Sequence, residues 1–173
     1  FAPPPAVVSI VRADGNPTSA VNVNFTVAFS EPVTGVDAND FGLSVDPAIT
    51  GAFITSVTSV SNTTYSIGVN TGSGNGSIRL DIVDNDSIVD TANNPLGGAG
   101  AGNGSFISGD SYTVEKTVPM VTSILPADPN PSSADSVHFT VSFSKEVSGV
   151  DAGDFSLVTT GGISSAFVAD VSG

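Results

Sequence analysis

Cysteine and tryptophan are both absent from the 173-residue chain, and aromatic residues make up only 7% of it. Without cysteine there is no disulfide framework, no thiolate catalysis and no cysteine-ligated zinc. Basic residues are scarce as well, because four of them stand against seventeen acidic ones and give a net charge of −13. Binding a phosphate backbone or an anionic membrane surface depends on Lys and Arg, so neither nucleic acid nor such a surface is an expected partner.

Long apolar runs and catalytic constellations are missing too. No segment approaches the roughly 20 apolar residues of a membrane span, so we expect no membrane insertion. A glycosidase needs two carboxyl groups across a cleft lined by aromatics, which this composition does not favour. The single histidine, His138, leaves no Ser-His-Asp triad, and the glycine-rich run 97–109 lacks the lysine of a phosphate-binding loop. The expectation is a protein that is not an enzyme.

The chain does contain an internal repeat. The stretch FSEPVTGVDANDF, Phe29 to Phe41, recurs as FSKEVSGVDAGDF, Phe143 to Phe155, at an offset of 114 residues. A period this long indicates whole domains rather than solenoid units. The predicted organisation is a proline-rich linker (1–5), a first repeat (6–118) and a second repeat (119–173) that is incomplete and lacks its C-terminal strands.

A period of two along the chain predicts β-strands with one buried face. The clearest strand places Val21, Val23, Phe25, Val27 and Phe29 on the inner face. In the second copy the inner face is Val137, Phe139, Val141 and Phe143, and His138 points outward. Seven short strands without a helical period indicate an all-β immunoglobulin-like β-sandwich. The seven are Val7–Val11, 21–29, Phe41–Val45, Ala52–Val60, Tyr65–Val69, Ile78–Ile82 and Tyr112–Val114.

The repeated stretch itself is predicted to be a structural corner. Pro32 has no N–H to donate and ends ladder pairing. Gly35 allows the backbone to reverse, and Asp37 or Asp40 can accept local backbone N–H bonds in an Asx turn. Phe41 then returns to the core. A binding role for the two aspartates is the alternative interpretation.

Three segments carry a resemblance to a known family: FSEPVTGVDANDF, SIRLDIVDNDSIVDTANNPLGG and the junction YTVEKTVPMVTSI. The chain resembles the bacterial Ig-like repeats found in tandem in large secreted and surface-exposed proteins. The resemblance implies immunoglobulin-like β-sandwich repeats in tandem and an extracellular or cell-surface location. It implies a structural role in a filament, stalk or giant surface protein. The alternative is an adhesive or carbohydrate-binding module of a secreted adhesin or enzyme. Asn93 stands where relatives place glycine, and because Asn tolerates the left-handed region we expect that turn to survive.

An acidic run is the candidate metal site. Calcium prefers oxygen ligands, and DNDSIVD has the alternating oxygens typical of calcium loops without the full EF-hand spacing. If the side chains converge, mutual repulsion favours a bound Ca²⁺, and if they splay outward the run is a solvated surface. The candidate ligands are Asp81, Asp84, Asp86 and Asp90.

Two apolar sets are candidate contact surfaces with other copies of the chain or with neighbouring repeats. Phe106 and Ile107 lie in a connection of nearly thirty residues between predicted strands. A connection this long in a compact domain usually has a packing or binding role. The incomplete second repeat would expose Val137, Phe139, Val141, Phe143, Phe155, Leu157 and Phe167. Leaving these side chains exposed to water loses on the order of 10 kcal/mol of hydrophobic stabilisation, so that repeat should not be stable alone. The covering strands come from a longer repetitive chain or, by donor-strand complementation, from another chain.

Overall fold

The computed structural model describes residues 3–173, and the chain divides into two compact units, the first ending at Thr117 and the second beginning at Val118. Residues 1 and 2 of the predicted linker lie outside the described range. Pro5 is buried, and its carbonyl accepts a hydrogen bond from the Gly97 amide at 2.9 Å. The end of the predicted linker therefore belongs to the body of the first unit.

The regular secondary structure of the first unit is almost entirely antiparallel β-strand. The strands are β1 (Val7–Arg12), β2 (Asn22–Phe29), β3 (Val33–Thr34), β4 (Phe41–Val45), β5 (Phe53–Ser59), β6 (Thr64–Asn70), β7 (Gly76–Ile82), β8 (Val89–Asp90) and β9 (Ser111–Val114). One sheet has the order β1-β2-β6-β5, a second has the order β4-β7-β9, and β3 pairs with β8 as a short ribbon. The all-β prediction is confirmed. The seven predicted strands correspond to β1, β2, β4, β5, β6, β7 and β9, while β3 and β8 were not predicted.

The core lies between the inner faces of the two larger sheets. In β2 the period of two holds, since Val23, Phe25 and Val27 are 0% exposed and their neighbours face outward. Burying each large apolar side chain stabilises the fold by about 1.5–3 kcal/mol. From the facing sheet, Ile78, Leu80 and Ile82 of β7, Tyr112 and Val114 complete the same cluster.

One end of the predicted inner face is wrong. Val21 is 61% exposed and precedes the first residue of β2, Asn22. Its carbonyl accepts a hydrogen bond from the Thr71 amide at 2.8 Å. Val21 therefore lies just before β2 and contributes only a backbone hydrogen bond. The alternation of apolar and polar residues in the sequence continues one step beyond the strand, which is why the pattern predicted Val21 to be buried.

The corner after β2 has the predicted structure. Gly35 is left-handed, with φ of +84°, and Ala38–Asp40 forms one turn of 3-10 helix. The Asp37 carboxylate accepts from the Asn39 amide, and the Asp40 carboxylate accepts from the Asp37 amide, both at 2.7 Å. These reciprocal bonds satisfy amides that the turn itself leaves unpaired. Phe41 then enters the core and is 7% exposed.

The second unit contains one hairpin and one corner. Strand β10 (Val121–Pro126) pairs with β11 (Phe139–Phe143), and Ala152–Asp154 forms a single 3-10 turn. The hairpin repeats the register of β1 and β2, including the irregularity after its first pair, with every partner shifted by 114 residues. No side chain of this unit is buried. The predicted inner residues Phe139 and Phe167 are 53% and 78% exposed.

Candidate functional sites: an acidic loop and an open groove

The long connection between β7 and β9 is packed against the first unit rather than idle. Its Ile88 and Leu96 are 2% and 0% exposed. Phe106 exchanges backbone hydrogen bonds with Ile82 at 2.9 and 3.0 Å and packs partly buried against its own core. Ile107 is 64% exposed. The structure thus directs these two neighbouring residues to different environments, and their role in a contact between repeats stays a prediction.

Asp84 joins the acidic run to the glycine-rich run. It is 6% exposed, and its two carboxylate oxygens accept from the amides of Asp86 and Gly104, both at 3.1 Å. Its carbonyl accepts from the Gly102 amide at 3.0 Å. Hydrogen bonds from several backbone N–H groups stabilise the negative charge of a buried carboxylate. Asp84 therefore holds the loop in shape.

Asp90 performs the same task at the next turn and is 3% exposed. One carboxylate oxygen accepts from the Ala92 and Asn94 amides, each at 2.8 Å, and the other accepts from the Asn94 side-chain amide at 2.8 Å. The hydrogen bond from the Asn94 side chain, followed by that from its backbone, lowers the pKa of Asp90 below its ordinary value. Asn93 adopts φ of +61°, so the expected left-handed turn is present.

The lowered pKa of Asp90 predicts a pH-dependent contribution to stability. An aspartate with a depressed folded pKa stabilises the fold above its unfolded pKa of about 4, and this stabilisation is lost as the pH falls through the folded value. We expect Asp90→Asn to lower the free energy of unfolding at pH 7. The difference from wild type should shrink below about pH 4. Urea unfolding at pH 7 and in acid measures it, and a difference that stays constant with pH would contradict the prediction.

Asp81 and Asp86 complete the predicted metal set in separate environments. The Asp81 carboxylate pairs with the Arg79 guanidinium through two hydrogen bonds of 2.7 and 3.1 Å. Asp86 is left-handed, with φ of +65°, and one carboxylate oxygen accepts from the Gly100 amide at 3.0 Å. Its other oxygen, Oδ1, is buried without a hydrogen-bond partner. Asp84 and Asp86 are thus neighbours in one loop, whereas Asp81 and Asp90 are occupied by other partners.

Calcium binding therefore stays a prediction. Within residues 3–173, no group of three or more His, Asp or Glu side chains is arranged to hold a metal ion. If Asp84 and Asp86 nonetheless recruit Ca²⁺ through loop carbonyls, the melting midpoint should fall in excess EDTA and recover with added calcium. An unchanged midpoint in both conditions would remove the metal. Asp86→Asn serves as the matched variant, since it should abolish any calcium response.

His138 lies on the outer side of the second hairpin, as predicted. Its side chain is 73% exposed, and ring Nδ1 lies 2.9 Å from Asp128 Oδ2. Its backbone amide donates to the same oxygen, and these bonds lower the pKa of Asp128. The first unit has the corresponding bond from the Asn24 amide to Asp14 Oδ2 at 2.6 Å. The histidine thus occupies a structural position shared with an asparagine.

An apolar groove runs along the corner of the second unit. Its wall consists of Val121, Phe143, Val147, Ser148, Gly149, Val150, Asp154 and Phe155. The sequence predicted Phe143 and Phe155 as contact residues, and the groove brings these two together. Val137, Phe139, Val141, Leu157 and Phe167 are not among its lining residues.

The counterpart of this groove in the first unit is covered by residues that sequence reasoning did not select. Ser87 donates its hydroxyl to Asp40 Oδ1, and Ile88 lies next to it in the core cluster. The only sequence signal was the apolar pair Ile88-Val89 inside an otherwise acidic run. That signal was interpreted as part of a metal loop.

Residues 3–173 include no helix with the length and hydropathy that crossing a membrane requires. Comparison of the chain with protein-family models, with curated proteins and with solved structures gave no match.

Proposed function

We propose that this chain is a segment of tandem immunoglobulin-like repeats with a structural, non-enzymatic role in a bacterial extracellular filament, stalk or giant surface protein. The observation that carries the proposal is the recurrence, 114 residues apart, of one hairpin register followed by one capped corner. Repetition of a unit at a fixed spacing is how such assemblies gain length.

Strand order in the first unit supports the immunoglobulin-like assignment. The sheets β1-β2-β6-β5 and β4-β7-β9 follow the A-B-E-D and C-F-G order of constant-type immunoglobulin domains when the seven main strands are lettered in sequence. The short β3-β8 ribbon is an addition to that plan. Two packed sheets with a shared apolar core suit a spacer that must keep its shape.

The beginning and the end of the first unit are tied together, which suits a mechanical role. The Thr18 amide donates to the Thr113 carbonyl at 2.9 Å, and the Glu115 amide donates to the Thr18 carbonyl at 2.8 Å. Asn16 Oδ1 accepts from the Thr113 amide at 2.6 Å, and the Arg12 guanidinium donates to the Ser111 carbonyl at 2.7 Å. Tension applied to the two ends of the unit would act on these bonds together.

The second unit has an apolar sheet face that a facing sheet would cover. Its hairpin has the inner-face residues of a sandwich but no facing sheet within residues 118–173. Strand complementation by a neighbouring repeat or another chain would cover this face, as in the peptide-recognition mode in which an extended segment adds to a sheet.

Immunogold electron microscopy of the native material tests the proposal. Antibodies raised against the 173-residue protein should label extended fibres or surface projections at regular spacing. Labelling confined to discrete particles without fibres would contradict it. Specific binding to one glycan on an array would instead favour the adhesive or carbohydrate-binding alternative.

A further inference from the structure

The first unit contains one pairing that departs from its antiparallel plan. The segment that follows β1 runs beside β9, and Thr18 and Val114 form a parallel bridge. The Thr18 amide donates to the Thr113 carbonyl at 2.9 Å, and the Glu115 amide donates to the Thr18 carbonyl at 2.8 Å. Strand β9 pairs with β7 along its other edge. The bridge therefore links the edge of one sheet, where β1 lies, to the edge of the other, where β9 lies.

Hydrogen bonds between these two segments follow a parallel order. They have lengths between 2.6 and 3.0 Å and join backbone groups or side chains at four places. The bonded pairs, in chain order, are Ile10 with Asp110, Arg12 with Ser111, Asn16 with Thr113 and Thr18 with Glu115. Residue numbers rise together on both sides, so the two segments lie parallel over the whole contact. We call residues 10–18 and 110–115 together the parallel clamp.

Tyr112 attaches the middle of the parallel clamp to the core. Its side chain is 0% exposed, and its ring contacts Phe25 edge to face. Its hydroxyl accepts hydrogen bonds from the amides of Ala13 and Asp14 and donates one to the carbonyl of Asn24. Because the ring is fixed among buried apolar side chains, residues 10–18 cannot move along β9 without breaking these bonds as well.

The parallel direction decides how tension along the chain reaches these bonds. Tension acts on the first unit through the residue before β1, Ala6, and through the residues after β9. These points lie at opposite ends of the parallel clamp, because β1 enters it beside Ile10 and β9 leaves it beside Glu115. All four groups of bonds then carry the load together, in shear. If both points of attachment lay at one end, the bonds would instead break one after another.

We propose that the parallel clamp is the force-bearing element of the first unit and that its bonds resist tension along the chain until they break together. The proposal rests on the structural role proposed above and names the residues that perform it. Forced unfolding is governed by the rate of unfolding, so the bonds of the clamp set the lifetime of the unit under tension. The apolar core is still packed when the clamp breaks, because the two sheets separate only after that step.

Single-molecule pulling of the full chain at constant force tests this inference. The chain has no cysteine, so two introduced cysteines are unique points of attachment. Ala6→Cys with Val118→Cys loads the clamp in shear, whereas Ala20→Cys with Val118→Cys pulls both segments from one end. All three positions are exposed. At equal force the first pair should give a lifetime at least about tenfold longer, since four groups of bonds must break in one step.

Variants separate the clamp from general stability. Thr113→Pro removes the amide that donates to Asn16 Oδ1 and should shorten the lifetime in shear about fivefold. Arg12→Ala removes the guanidinium bond to the Ser111 carbonyl, leaves the backbone unchanged and should act in the same direction. Ile67→Val is the matched control, because this core residue is 0% exposed and its truncation lowers the urea midpoint. Its lifetime should stay within about twofold of wild type, since core contacts persist at the transition state.

Two outcomes would overturn the proposal. One is an equal lifetime for the two directions of pulling. The other is a lifetime in shear that Ile67→Val shortens as much as Arg12→Ala does, because the core would then open together with the clamp. Failure here leaves the proposed structural role intact, since fibres labelled by immunogold would still be observed. A clamp that resists shear in a protein that forms no fibres would argue against that role alone.

Discussion

Replacing Phe25 by alanine should lower the free energy of unfolding of the first unit by about 3–5 kcal/mol. The ring is 0% exposed and contacts Tyr112 edge to face, with ring centroids 5.0 Å apart. Removing it forfeits the transfer free energy and leaves a cavity between two sheets whose backbones cannot close the gap. Since small domains are stable by only about 5–15 kcal/mol, this loss should bring the unit close to unfolding at room temperature.

Urea unfolding of the full chain, followed by tyrosine fluorescence and circular dichroism, measures the effect. Both tyrosines, Tyr65 and Tyr112, lie in the first unit, so the fluorescence signal reports on that unit. Phe53→Ala is the matched control, because Phe53 is 55% exposed on edge strand β5 and its loss should cost under about 1 kcal/mol. Similar midpoints for the two variants would mean that the sheets do not enclose Phe25 as described.

Gly35→Ala should destabilise the first unit by about 2–5 kcal/mol, an effect much larger than its single methyl group suggests. A left-handed conformation costs a non-glycine residue about 1–2 kcal/mol. The added methyl group would also overlap the carbonyl of Ser87 and push β8 away from β3. Such overpacking against backbone costs a further 1–3 kcal/mol or so.

Gly51→Ala separates the two contributions. Gly51 is also left-handed, with φ of +74°, but no atom lies within 4 Å of its Cβ position. It should therefore lose only the conformational part, about 1–2 kcal/mol. Urea midpoints of the two variants and wild type give the comparison, and equal losses would show that Ser87 does not press on Gly35.

Much of the first unit could be predicted because its strands show a strict period of two. Val23, Phe25 and Val27 alternate with polar residues, and a sheet with one dry face forces that pattern on any sequence. The corner could be predicted as well. Gly35 allows the backbone to reverse, and the carboxylates of Asp37 and Asp40 can accept hydrogen bonds from nearby backbone amides, so few backbone conformations fit this segment. Val21 was misplaced since alternation alone does not show where pairing ends.

The candidate sites were less predictable because they depend on contacts between distant segments. Ser87 and Asp40 are 47 residues apart, and neither carries a local signal for the other. Strand β8 has two residues, too few for any periodicity to appear. In the sequence, Asp84 and Asp90 look like metal ligands. An aspartate that accepts hydrogen bonds from backbone amides cannot be distinguished by residue type from an aspartate that binds a cation.

The tie between the two ends of the first unit also governs when it can form during synthesis. The Tyr112 hydroxyl donates to the Asn24 carbonyl at 2.7 Å and accepts from the amides of Ala13 and Asp14 at 3.1 and 2.8 Å. A growing polypeptide emerges from the ribosome at about 5–20 residues per second, so residues 13 and 24 wait several seconds for their partner. The first unit therefore matures only when its last strand has left the exit tunnel.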